Sequence, residues 1–182
     1  MPSTYEPIAT QTLGSAASTV TFSSIPNTYT DLVLVGSMRV TVNTYNNMNF
    51  PCIRFNGDTG TNYSVTEMYT RNDSSSWRTV SGGNSSPNQN EMNLGGVATT
   101  NFGSNIFTTQ IVNIMNYSNT TTNKAVISSG GTGGDLTNMD GVKHHVGSYR
   151  STSAISSLSW TPTSSGNFTA GCTFTLYGIK AA

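Results

Sequence analysis

Between residues 30 and 42 apolar and polar side chains alternate with period two. Leu32, Leu34, Met38, Val40 and Val42 fall on one parity, with Gly36 among them, and Val33, Val35, Ser37, Arg39 and Thr41 fall on the other. Successive side chains of a strand point to opposite faces, so this pattern predicts a long strand with one apolar face and one that turns polar halfway along. Such a strand belongs in the middle of an antiparallel sheet, buried on both faces at its start and on one face afterwards. Residues 106–117 repeat the theme: Ile106, Val112 and Ile114 share a parity, and Phe107, Ile111, Met115 and Tyr117 share the other.

The remaining stretches read as partners for these two. Residues 18–22 alternate, and Pro26 makes a turn of 23–27 by fixing its own φ and extending Ile25. Residues 50–55 and 62–70 are strands on either side of Asn56-Gly57-Asp58-Thr59-Gly60, where Asn-Gly supplies two positions tolerant of positive φ. A hairpin over 50–70 is therefore expected. Residues 71–90 are polar and rich in Ser, Asn and Gly, so they read as a long loop tacked down by Trp77 and Val80. A short strand follows near Met92 and Leu94. A second hairpin joins 106–117 to 124–129 through the turn at Asn119-Thr120-Thr121-Thr122. Residues 130–134 make a glycine-rich tip, and 142–149, 155–161 and 172–179 complete the set. Pro2, Pro7, Gly14 and Ala16-Ala17 break the register of residues 1–17, which read as an N-terminal arm before a domain over 18–182.

The result is about nine or ten strands with no helical periodicity, the pattern of an all-β, antiparallel, jelly-roll-like β-sandwich in a single domain. Its core is expected to take Val20, Phe22, Leu32, Leu34, Ile53, Phe55, Val112, Ile114, Leu158, Trp160, Phe174 and Leu176.

Composition narrows the setting. Of 182 residues only 9% are charged, eight basic against eight acidic, where ordinary domains carry about 25%. A chain without net charge has no electrostatic footprint for nucleic acid and no basic face for a membrane. It is kept soluble by Ser, Thr and Asn, and its weak self-repulsion suits packing against copies of itself. The start of the chain is polar and reads as lacking a secretory leader, so the six Asn-x-Ser/Thr sequons are expected to stay unmodified. Cys52 and Cys172 sit in apolar stretches and read as small buried hydrophobes, with a disulfide as the alternative.

Candidate chemistry is sparse. His144 and His145 are adjacent, so on a strand they face opposite ways and do not converge on one metal, and Asp135 and Asp140 nearby read as solvated loop carboxylates. The Asn56–Gly60 motif lacks the downstream acidic ligands of a calcium loop. The glycines of 130–134 are followed by no Lys-Ser/Thr and no helix, so they do not make a phosphate cradle. No nucleophile elbow is present. We expect no enzymatic activity and no cofactor. Tyr69 and Trp77, beside a polar loop, are the candidates for contacting a glycan, since aromatic faces stack on sugars, although packing roles are open to both.

Three blocks carry a resemblance. They are residues 5–35, opening Tyr5-Glu6-Pro7-Ile8-Ala9-Thr10 and closing Asp31-Leu32-Val33-Leu34-Val35; Arg54-Phe55-Asn56-Gly57-Asp58-Thr59-Gly60-Thr61-Asn62-Tyr63-Ser64; and Asn167-Phe168-Thr169-Ala170-Gly171-Cys172-Thr173-Phe174-Thr175-Leu176-Tyr177-Gly178-Ile179. Together they resemble a group of virion proteins of tailed bacteriophages, common among phages of aquatic bacteria and cyanobacteria. Residues 71–105 match no block. The blocks bring no catalytic residues with them. The resemblance implies a structural component of the virion, assembled in the host cytoplasm, as a head decoration or a tail-fibre subunit. Its partners would be other virion proteins, copies of itself with a trimer as the expected closed form, and, in the alternative of a receptor-recognition module, a host surface glycan. Tyr5, Ile8 and Leu13 are the expected anchors of the arm on a neighbour.

Overall fold

The alternating stretches pair into antiparallel sheets in a computed structural model that describes residues 4–42, 48–72, 77–102, 105–132 and 140–180, with backbone alone at 48, 70–72, 77–85 and 140. In chain order the strands are β1 (Tyr5–Thr12), β2 (Val20–Phe22), β3 (Asp31–Met38), β4 (Met48–Asn49), β5 (Cys52–Phe55), β6 (Tyr63–Asn72) and β7 (Trp77–Gln89). They continue with β8 (Met92–Asn93), β9 (Val97–Ala98), β10 (Thr108–Met115), β11 (Lys124–Gly131), β12 (Asp140–Tyr149), β13 (Leu158–Thr161) and β14 (Thr173–Ile179), and one 3₁₀ turn spans Thr100–Phe102. A large sheet runs β1-β14-β3-β10-β11-β12-β6-β7, a smaller one β2-β13-β5-β8, and β4 pairs with β9.

The two larger sheets form a sandwich over one core. Alternation delivers one parity of each strand to it, and all twelve residues expected to face inward are buried. Leu34 lies between Val112 and Leu176 on the neighbouring strands. From the opposite sheet Trp160 meets Phe174 edge-on, ring centroids 5.7 Å apart, and Phe55 meets Tyr149 at 5.3 Å. Gly36 explains its own place in the apolar face of β3. A Cβ there would stand 3.0 Å from Cζ3 of Trp160 and 2.5 Å from Cε of Met38. The missing side chain is the room into which the tryptophan packs.

β3 and β10 are central in the large sheet, as their patterns predict. The hairpin of β10 and β11 also forms. Its turn is held by the Oδ1 of Asn119, which accepts from the backbone N–H groups of Thr121 at 2.7 Å and Thr122 at 2.8 Å.

Three expectations give way. Residues 5–12 are not an irregular arm: they form an edge strand on β14, with a register shift between Pro7 and Ala9 that absorbs the proline. The Asn-Gly turn exists, with Asn56 at φ 53° and Gly57 at φ 66°, but its flanking strands do not pair with each other. β5 goes to the small sheet against β13, and β6 to the large sheet against β12. The turn hands the chain from one layer to the other, because Phe55 and Tyr63 both carry side chains that fill the core between them. Finally, residues 77–89 are strand β7, paired with β6 along Tyr63–Asn72. A polar edge strand needs no apolar parity, so its sequence looks like a loop. The tip at 133–139, with Asp135, lies outside the described residues.

Both cysteines are buried free thiols. Desolvation pushes the Cys52 thiol far above the ordinary range, which keeps it protonated and unreactive. The Sγ of Cys172 accepts from the backbone N of Arg39 at 3.2 Å.

Candidate functional site

The large sheet has one face on the core and one turned away from it. Register carries the outward positions into rows across the strands. Val35, Ile111, Ser129, His144 and Met68 make one row, and Val33, Asn113, Ile127, Val146 and Thr66 make the next. Ile127 and Val146 are directly opposed at the middle. Ile111, Met115 and Met68 stand diagonally to that pair, so the five make a continuous apolar surface.

All seven exposed large hydrophobic side chains among the described residues stand on this face: Tyr5, Met68, Ile111, Met115, Ile127, Val142 and Val146. Val146 is 62% exposed and Met68 54%. Tyr5 joins from β1, where it is directly opposite Ile179 and packs edge-on against Tyr177 at 6.5 Å. Single exposed apolar residues are ordinary, but a contiguous patch marks an interaction surface. Charge is nearly missing from it. Among described side chains at outward positions from β3 to β6, the ionisable groups are Asp31 and His144. Asp31 is at the rim, accepting from the N–H of Asn116 at 2.6 Å, and His144 has its Nδ1 2.8 Å from Ser129 Oγ.

The inner face of the same strands changes character along its length. Toward one end it is apolar, with Val112, Ile114, Val126, Tyr149 and Tyr63. Toward the other it carries Thr108, Gln110, Ser128, Thr132, Lys143 and His145, all buried. Thr108, Gln110, Ser128 and Thr132 are paired among themselves. Gln110 Nε2 donates to Ser128 Oγ at 2.9 Å and to the Leu94 carbonyl, and the hydroxyls of Thr108 and Thr132 are bonded together. His145 Nε2 is 3.3 Å from Glu67 Oε2, and its Nδ1 has no partner among the described residues. The two histidines thus face opposite ways, as their adjacency requires. Among the described residues no group of three or more His, Cys, Asp or Glu is placed to hold a metal ion.

The residues expected to bind partners are scattered by the fold. Tyr5 stands on the outer face. Ile8 and Leu13 pack against the chain's own core, because β1 is part of the sheet and its inward side chains are used there. Tyr69 is on β6 at the polar inner end, half-buried, with the Nζ of Lys143 5.5 Å from its ring centroid. Trp77 opens β7 opposite Asn72, three positions along the ladder from the pairing of Tyr69 with Val80, and its side chain lies outside the described residues. The two do not share a rung, and the structure does not bring them together as a described site.

Sequence reasoning missed Met68, Ile127 and Val146 as a group. The signal was present in residues 106–117, where both parities are apolar although a single core can bury one. No protein-family model matches the chain, and neither does any curated protein or solved structure.

Proposed function

We propose that this chain is a non-enzymatic structural component of the exterior of a tailed-phage particle, a head decoration or a subunit of the fibre apparatus, working without a cofactor beside other virion proteins and copies of itself. The observation that carries the reading is the outer face of the large sheet: apolar at its centre, nearly free of charge, and set on eight rigidly paired strands. A surface of that kind is suited to permanent contact in an assembly, where neighbouring subunits cover it. The near absence of charge over the whole chain lets copies crowd together with little repulsion. The three sequence blocks that resemble phage virion proteins point the same way. Mass spectrometry of purified particles of the encoding phage should recover the chain in many copies, and limited proteolysis of intact particles should reach it from outside. Recovery only from the soluble lysate would contradict the reading.

A second reading is a receptor-recognition module that binds a host glycan. It is favoured by the polar end around Tyr69, where an aromatic ring, Lys143 and Glu67 stand on adjacent strands. Glycan-array binding that Trp77→Ala and Tyr69→Ala abolish would replace the first reading with this one.

A further inference from the structure

We infer that the outer face of the large sheet is the contact between two copies of this chain, packed sheet on sheet about a twofold axis, with Ile127 and Val146 near its centre. The inference rests on the assembly reading and names the surface and the partner.

Three observations carry it. The first is size. Eight strands about 4.8 Å apart, rising about 3.4 Å per residue over roughly seven residues, give a face of about 900 Å². A stable protein contact needs about 800 Å² from each partner, so this face suffices by itself. The second is composition. In a twofold contact each patch meets its own copy, so any charge near the axis meets its like. The diamond of Ile111, Met115, Ile127, Val146 and Met68 has none, and His144 is the one ionisable group within it. The core of a protein interface is generally poor in charge, and a self-complementary contact requires this at the axis. The third is geometry. Asn113, Ser129 and His144 stand among the apolar five, and the Thr and Ser positions around them, Thr109, Ser148 and Thr66, are their outward neighbours in the ladder. They give the apolar centre and polar rim of a protein interface. Two twisted sheets pack well when their strands run about 30° apart, which a twofold axis lying in the contact plane between the faces allows.

The test is sedimentation velocity on the full chain from about 1 to 100 μM, the range in which a contact of this area dissociates when weak. The wild-type chain should move from the mass of one chain to that of two. Val146→Glu and Ile127→Asp each place a carboxylate in the centre, and each should raise the dissociation constant at least about tenfold. Both positions are exposed in the single chain, so at concentrations where the wild-type chain is itself single, melting temperature and circular dichroism should stay at the wild-type values, which separates lost contact from lost fold. Thr120→Glu, at an exposed turn away from the face, should leave association unchanged. A wild-type chain that stays single throughout, a mass of three chains, or association unaffected by either carboxylate would overturn the inference. Recovery of the Val146→Glu chain on particles at wild-type copy number would also overturn it while leaving the virion reading in place. Twofold association of a chain absent from particles would do the reverse.

Discussion

Single side chains decide whether the sandwich closes. Leu34 and Phe174 lie fully buried on the neighbouring strands β3 and β14, so truncating either to Ala should cost about 2–5 kcal/mol in urea unfolding. Gly36→Ala tests the opposite fault. The added methyl would meet Trp160 at 3.0 Å, and overpacking of this kind costs about 1–3 kcal/mol. A neutral result would show that the indole moves aside freely. Asp58 ties the interlayer turn together. Its carboxylate accepts from Gly60 N at 2.7 Å, Asn62 Nδ2 at 2.9 Å and Tyr149 OH at 3.0 Å. The Asn62 and Gly60 bonds hold its pKa below the ordinary carboxylate value. Folding therefore favours the ionised form: the stabilisation is full above the unfolded pKa of about 3.9 and is lost as pH falls through the lower folded value. Asp58→Asn should flatten that acid limb in thermal melts followed from neutral pH downward. Lys124 is a different kind of tie. Its buried ammonium donates to the carbonyls of Asn119 at 2.6 Å and Thr122 at 2.7 Å, and reaches Ser151 and Thr152 across the gap to the next loop. Lys124→Met would leave those carbonyls without their donor, at about 1–3 kcal/mol for buried groups so exposed.

Elements show where sequence reading succeeds and where physics outside the strand takes over. Period two with a strong apolar parity places β3, β10 and β14 without help, because each must bury one face. The inward set is legible for the same reason: a slip of one residue would turn Leu32 and Leu34 to the wrong side. Pairing is another matter. The Asn56-Gly57 turn is plain in the sequence, yet which strand Phe55 or Tyr63 joins depends on residues as distant as Trp160 and Tyr149. Edge strands are the least legible. β1 carries a proline and β7 is polar but for Trp77, Val80 and Pro87, and each has only one ladder to satisfy, so neither needs a pattern. The candidate face was half legible, since the second apolar parity of 106–117 announces it but only register joins Ile111 to Ile127 and Val146. The difference between an arm and a strand is measurable. Removing residues 1–12 should lower the melting temperature and speed amide exchange at the positions of Thr173–Ile179 that bond to β1, since β14 loses one of its two partners. Unchanged protection there would restore the free arm.

At the scale of the molecule, one face of a nearly uncharged sandwich carries an exposed apolar centre. That asymmetry is the basis for reading the chain as a building block of a particle exterior. Cryo-electron microscopy of intact particles of the tailed phage that the proposal calls for tests this most directly. The account predicts density for the eight- and four-stranded sandwich on the outer surface of the head or the fibre apparatus, with Ile127 and Val146 covered by a neighbouring subunit. Particles that carry no such density, and from which the chain is missing, would contradict it.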